Sequence, residues 1–289
     1  MNPNALALVL ASALIHAAWN GLIKREQRSL AFLWLVVAWS VCWLALATFF
    51  RGASLALARA AWVWVSASGL LHCLYYVLLG KGYERGELST VYPIARGVGP
   101  ALVAVAGVLL LGERVTAWGV MGIGLVISGV CALGRVGDTG QEAGSAGLSR
   151  AGAAYGVAIG AAIAGYSLVD KRGVAQVAPE PFMLLSHALA VVVLTPVVLR
   201  PLREAYSPQA FRGALGLSAA AGALMVLGYQ FVLYALRMAN ASYVVPARSA
   251  SILFAVLFGG RLLGERNLAA KLLASCAIFG GIWLIAARG

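Results

Sequence analysis

Ten times along this chain, about 20 residues pass with almost no charge, and that recurrence limits the fold more than any other feature. The stretches run roughly over 4–23, 30–50, 61–80, 88–111, 117–134, 151–169, 181–199, 211–235, 241–260 and 268–287. At a rise of about 1.5 Å per residue, each is long enough for a helix to cross the hydrocarbon of a bilayer. Backbone groups in lipid must be satisfied within the spanning structure, which leaves helices or closed barrels. These runs are rich in Ala, Leu and Gly and lack the alternation of barrel strands, so helices are expected. Composition agrees: 62% of the residues are hydrophobic and 11% charged, against roughly 45–50% and 25% in soluble domains. That excludes a cytosolic enzyme, a secreted disulfide scaffold and a disordered chain. The first stretch has no basic residue before it and is followed by Lys24 and Arg25, so it reads as a retained helix and not a cleaved signal.

The 22 basic and 10 acidic residues give a net charge of +12. The basic residues fall singly or in pairs between apolar runs, which suits helix ends and anionic headgroups. No dense patch could track a phosphate backbone, so no nucleic-acid partner is expected. Cys42, Cys73, Cys131 and Cys276 all lie in apolar segments without ligand spacing, and are expected to be free thiols. No cofactor or metal is expected.

The longest polar interval, GRVGDTGQEAGSAGLSR (134–150), divides the ten stretches five and five. The halves are similar. Residues 86–114 lie over 239–266 with one residue deleted, pairing Ser89 with Ser242, Pro93 with Pro246, Arg96 with Arg248, and LGER 111–114 with LGER 263–266. Upstream, Tyr76 falls on Tyr229, and HAAWNGLIKR (16–25) on IAGYSLVDKR (163–172). Apolar composition alone would not align Pro, Arg and Glu. An odd number of spans per repeat inserts the second half upside down relative to the first, the arrangement of many secondary transporters. The expected fold is thus an all-α integral membrane protein with ten transmembrane helices in two inverted five-helix repeats. The repeats are 1–134 and 151–289, joined by a linker at 135–150.

The two five-helix repeats, the lysine ending the first span and the Gly-Glu-Arg after the fourth and ninth spans resemble the EamA family of the drug/metabolite transporter superfamily. The HAAWN…K opening is more loosely similar to a subgroup associated with phosphonate utilisation. The resemblance implies ten helices around a central cavity, a multi-pass protein of the cell membrane with cytoplasmic termini, and export or exchange of small metabolites. The distribution of Lys and Arg argues the other way on orientation. Thirteen fall on the side that would then be external and seven on the other, and the positive-inside rule places the termini outside.

Arg96 and Arg248 are the leading binding candidates. An arginine at mid-bilayer costs at least about 2.5–3.5 kcal/mol, so it should face a cavity or a partner. Pro93 and Pro246 stand beside them as expected helix breaks, each removing a bond to the carbonyl four residues back. On the first span His16, Asn20 and Lys24 form one polar stripe with Trp19 beside it. On the third, Ser68, His72 and Tyr76 repeat the spacing, with Tyr75 adjacent. Their counterparts in the second half include Tyr166, Tyr229, Gln230 and Tyr234. This set fits a cavity wall that offers hydrogen bonds and aromatic faces to a polar ligand.

The remaining polar residues read as structural. His187 has no repeat partner. Glu113 and Glu265 follow helix-ending glycines and fit turns, meeting the following helix start or Arg114 and Arg266. Asp170 reads as an ion pair with Lys171 and Arg172 at a helix end. No buried carboxylate is therefore expected, which counts against a carrier of cationic drugs.

The expected function is secondary transport of a small polar, anionic or zwitterionic metabolite by alternating access. The partners are that solute, the bilayer and protons, the last through His16 or His72, with the chain a monomer or homodimer. A membrane-embedded enzyme or a non-transporting subunit is the alternative. The three histidines are scattered and no acidic pair has ligand spacing, so an enzyme is not favoured.

Overall fold

The computed structural model describes residues 1–23, 29–85, 88–137, 150–251 and 268–288. They form ten helices: α1 (Pro3–Ile23), α2 (Ser29–Phe50), α3 (Arg59–Arg85), α4 (Leu88–Leu111), α5 (Ala117–Gly137), α6 (Arg150–Gly173), α7 (Pro179–Ala205), α8 (Pro208–Met238), α9 (Ala241–Ala247) and α10 (Leu268–Arg288). No strand occurs among the described residues. Six of the helices are long and apolar enough to cross a membrane, and shorter apolar helices cover Pro3–Ala18, Ala117–Ala132 and Leu273–Arg288. In the ninth apolar stretch α9 stops at Ala247; residues 252–267, with Glu265 and Arg266, lie outside the described residues.

Helix starts follow local chemistry. Ser207 caps α8, its hydroxyl accepting the Ala210 N–H at 3.3 Å, and Pro208 occupies a first-turn position where its missing N–H costs nothing. The two prolines expected to break helices behave differently. α9 ends one residue after Pro246, and the chain continues in a turn with the Ser249 N–H on the Pro246 carbonyl at 2.9 Å. α4 runs without interruption through Pro93. That proline is the sixth residue of α4, so the carbonyl that loses its partner, that of Ser89, lies in the first turn.

Large apolar side chains face outward, as at Phe49, Phe50, Leu109 and Leu273, where lipid and not water is the natural neighbour. Inside, α1 packs on α8 and α3 on α6; α2 packs on α8 and α3 on α7; α2 meets α7, and α5 meets α10. Exchanging the first five helices for the last five maps each of these pairings onto another or onto itself.

Hydrogen bonds fix which helix ends meet. The Met1 amino group donates to the Ile285 and Ala286 carbonyls at the end of α10, at 3.4 and 3.2 Å. Thr116, just before α5, donates its hydroxyl to the Arg288 carbonyl at 2.9 Å and its N–H to the Tyr243 hydroxyl of α9 at 3.0 Å. Arg172, at the end of α6, reaches the Leu110 carbonyl at the end of α4 at 3.4 Å. So α1 arrives at this end of the bundle by its N-terminus, and α6, its counterpart in the repeat, by its C-terminus.

Glu113 holds the two halves together here. Its expected partners were the following helix or Arg114. Instead Oε1 accepts the Ala241 N–H at 2.6 Å, and Oε2 accepts the Ser242 N–H at 2.9 Å together with the Ser242 hydroxyl. The carboxylate thus satisfies the otherwise unpaired N–H groups that open α9. Gly112, at φ 68°, turns the chain out of α4 so that the side chain crosses to the other half. Gly107 leaves the space, since a Cβ there would stand 2.7 Å from Glu113 Oε2. Asn240 adds a bond from its side-chain amide to the Arg114 carbonyl at 3.0 Å.

Candidate substrate site

Residues four apart share one face of a helix, and four such faces meet in the middle of this bundle. α1 presents Ser12 and His16; α3 presents Ser68, His72 and Tyr76; α6 presents Tyr166 and Asp170; α8 presents Met225 and Tyr229. All of these except Ser68 and Asp170 line a cavity of about 50 Å³, and a second lobe of about 20 Å³ shares His16, Tyr75, Tyr166 and Arg248 with it.

Both repeat-related arginines reach the smaller lobe. Arg96 hydrogen-bonds through Nη2 to His16 Nε2. A guanidinium only donates, so the ring nitrogen accepts and His16 is neutral with its proton on Nδ1. Arg248 follows the Pro246 break and lies over the Tyr229 ring, with Cζ 5.2 Å from the centroid. Its Nε is buried with no hydrogen-bond partner among the described residues, as is the Ser12 hydroxyl on the cavity wall.

The aromatic wall is continuous. His72 stacks on Tyr166 with centroids 4.3 Å apart and planes at 25°, and meets Tyr229 edge-on at 5.5 Å. Tyr75 meets Tyr166 at 5.6 Å and Tyr76 at 5.4 Å. His72 Nδ1 lies 2.9 Å from the Ser68 carbonyl, which can only accept, so Nδ1 carries the proton there.

Three expectations need correction. Asp170 does not pair with Lys171 or Arg172. It is wholly buried, with Oδ1 accepting the Ser68 hydroxyl at 2.6 Å and Oδ2 accepting the Tyr229 hydroxyl. The next residue on a helix points about 100° away, so Lys171 donates instead to the Leu236 and Ala239 carbonyls at 2.5 and 2.8 Å, capping the end of α8. The expectation of no buried carboxylate falls with it. His187 lines the cavity, with its ring 5.5 Å from His72 and Nδ1 2.8 Å from the Ser40 hydroxyl. Gln230 turns away from the cavity toward α7, donating to the Pro179 carbonyl at 3.2 Å, because its neighbour Tyr229 already occupies the inward position.

Tyr234 also leaves the group; its hydroxyl donates to Glu180 Oε1 at 2.5 Å, where Arg51 Nε stands 3.0 Å away. Lys24 lies outside the described residues, as do the side chains of Trp19, Asn20 and Pro93. Asp170 has no polar counterpart in the repeat, where Ile23 faces it. The signal for it was its four-residue spacing from Tyr166.

The sequence profile of the EamA-like transporter family matches residues 3–135 and again 150–287. The chain belongs to that family. A solved crystal structure of a protein superposes over 100% of both chains with a TM-score of 0.76 at 16% identity, a likeness of fold alone. A 60-residue segment is 47% identical to the multidrug resistance protein EbrB of Bacillus subtilis (strain 168), covering 21% of this chain and 51% of that one. The EbrB of Bacillus atrophaeus matches to the same extent. The chain thus spans about half the length of the curated relatives it matches. It is a helical membrane protein of the EamA-like transporter family, within the drug/metabolite transporter superfamily.

Electrostatically, the centre of this EamA-like protein joins two guanidiniums and one carboxylate. Arg51, Glu113 and Glu180 are engaged at the end of the bundle where α4 and α6 finish. The arrangement can draw in a negative group, give it hydrogen bonds from Arg248 and Ser12, and pack a small organic body against tyrosine faces.

Proposed function

We propose that the chain is a secondary transporter of a small anionic or zwitterionic metabolite, working by alternating access between two inverted halves of five spans, 1–134 and 151–289. The observation that carries this reading is the meeting of Arg96 and Arg248, matching positions of the two halves, at one buried lobe. A site built from both halves changes whenever one half rocks against the other, which is what alternating access requires. The balance of two cations against one anion favours a solute with an exposed carboxylate, phosphate or phosphonate group. The cavity is far smaller than the roughly 300–1,000 Å³ of typical ligand pockets, so loading a metabolite requires the helices to part. The Glu113 contacts close one end and would have to break when that end opens.

The buried carboxylate and the tyrosines favour a second reading, a lipophilic cation, in keeping with the EbrB relatives' name as multidrug resistance proteins. One experiment separates the two. The purified protein in proteoliposomes is assayed for flux of acetate, L-alanine, methylphosphonate and tetraphenylphosphonium, alongside Arg96→Gln and Arg248→Gln. The first reading expects flux of an anion or zwitterion that falls about 100-fold in either variant, roughly 3 kcal/mol of lost charge pairing. Unchanged anion flux in both variants defeats it, and cation flux that survives or rises in them supports the second. Cytoplasmic termini belong to the same proposal, against the Lys and Arg bias, and a compartment-sensitive reporter fused to the C-terminus tests them.

A further inference from the structure

We propose that Asp170 is a proton-binding site coupled to the cavity, so that an anionic substrate and a proton are carried in the same direction. This rests on the substrate reading above and adds the driving ion to it.

A carboxylate withdrawn from water needs a cation or several hydrogen bonds to offset the loss. Asp170 is wholly buried, and among the described residues no cation stands within ion-pair distance of it. Two hydroxyls hold it, from Ser68 and Tyr229. A hydroxyl donates to an ionised carboxylate and, by rotating, accepts from a protonated one. The site therefore has partners in both protonation states. Tyr229 also lines the cavity. A proton from cavity water can be taken by the Tyr229 oxygen as the tyrosine's own proton passes to Oδ2. Only O–H bonds are exchanged and Tyr229 ends neutral.

The surroundings of Asp170 name its competitors. α3 brings His72, whose Nδ1–H is held by the Ser68 carbonyl, and α7 brings His187 behind it. α8 brings Tyr229, and the turn after α9 brings Arg248 over its ring. α4 brings Arg96, bonded to His16 of α1. On α6 itself Tyr166 stacks on His72, and Lys171 is tied to carbonyls of the α8 end.

Protonating Asp170, one hydrogen bond behind the cavity-lining Tyr229, removes a negative charge from beside the cavity and leaves both guanidiniums. An anion is then held more tightly. By reciprocity, a bound anion raises the affinity of Asp170 for its proton by the same factor. The two ligands load together and leave together, which makes the coupling symport.

The test uses the full chain in nanodiscs. Infrared difference spectra are recorded across about pH 5–9, and acetate, methylphosphonate and L-alanine are the probes in thermal-stabilisation titrations. Expected is a protonated-carboxyl C=O band that grows on acidification in the wild type and in His72→Gln and is missing in Asp170→Asn. A probe anion should bind about tenfold more tightly at the acid end in the wild type. Asp170→Asn should bind it at that tighter level at every pH. Asp170→Glu, which restores the carboxyl, should restore a titrating band and guards against a misfolded asparagine variant. A wild-type band that survives in Asp170→Asn, or pH-dependent anion binding that persists there, overturns the proposal. Arg248→Gln separates the two levels: anion binding unaffected by it defeats the substrate reading, whereas the coupling proposal stands or falls on the Asp170 variants.

Discussion

Glu113 and Asp170 are both buried carboxylates at contacts between the halves, yet they are satisfied by different chemistry. Glu113 is bound by two backbone N–H groups that open α9 and by one hydroxyl. Backbone N–H groups cannot turn into acceptors, so this carboxylate keeps its full set of partners only while ionised. Asp170 is bound by two side-chain hydroxyls, one of which can turn from donor to acceptor when a proton arrives. Two buried carboxylates thus give a structural fastening in one place and a chemically responsive group in the other. What decides is the kind of donor, not the depth.

The largest effect that sharpens this contrast is expected from Glu113→Ala. It leaves two N–H groups unsatisfied and should cost about 3 kcal/mol, read as a lowered melting temperature of the purified protein. Asp170→Asn keeps both hydroxyl partners and should cost about 1 kcal/mol or less. A greater loss there than in Glu113→Ala would break the comparison. Ser242→Ala removes one of the three donors to Glu113 and should cost about 1–2 kcal/mol in the same melting assay. Arg51→Ala comes next. Arg51 is 64% exposed in its pair with Glu180, and loss of that pair should cost no more than about 1 kcal/mol. Smallest is Ser12→Ala, within about 0.5 kcal/mol, because its hydroxyl has no partner to lose; a change in solute affinity without a change in melting would mark Ser12 as a substrate contact.

Much of the architecture was legible in the sequence. Apolar run length gave the helices their place to within a few residues, because a bilayer leaves an isolated segment no other way to satisfy its backbone. The duplication gave the pairing of Arg96 with Arg248, and helical spacing gave the faces of His16, His72, Tyr166 and Tyr229. Asp170 was misread for a physical reason. Its neighbours in sequence are basic, and sequence adjacency suggests an ion pair, but on a helix the next residue points about 100° away. Glu113 was read as belonging to its own turn, since nothing local reveals that Gly112 aims it at the other half. His187 looked solitary because its partners, Ser40 and His72, lie far away along the chain.

The sequence by itself determined a helical membrane protein of two related halves with polar stripes on otherwise apolar helices, because these properties follow from length, periodicity and solvent. Only the tertiary structure decided which stripes face one another, that two arginines share a cavity lobe with an aspartate one hydrogen bond behind the cavity wall, and which carboxylate fastens and which can respond. Those outcomes depend on contacts between segments far apart in the chain, and the sequence of one helix holds no record of what the opposing helix will offer it.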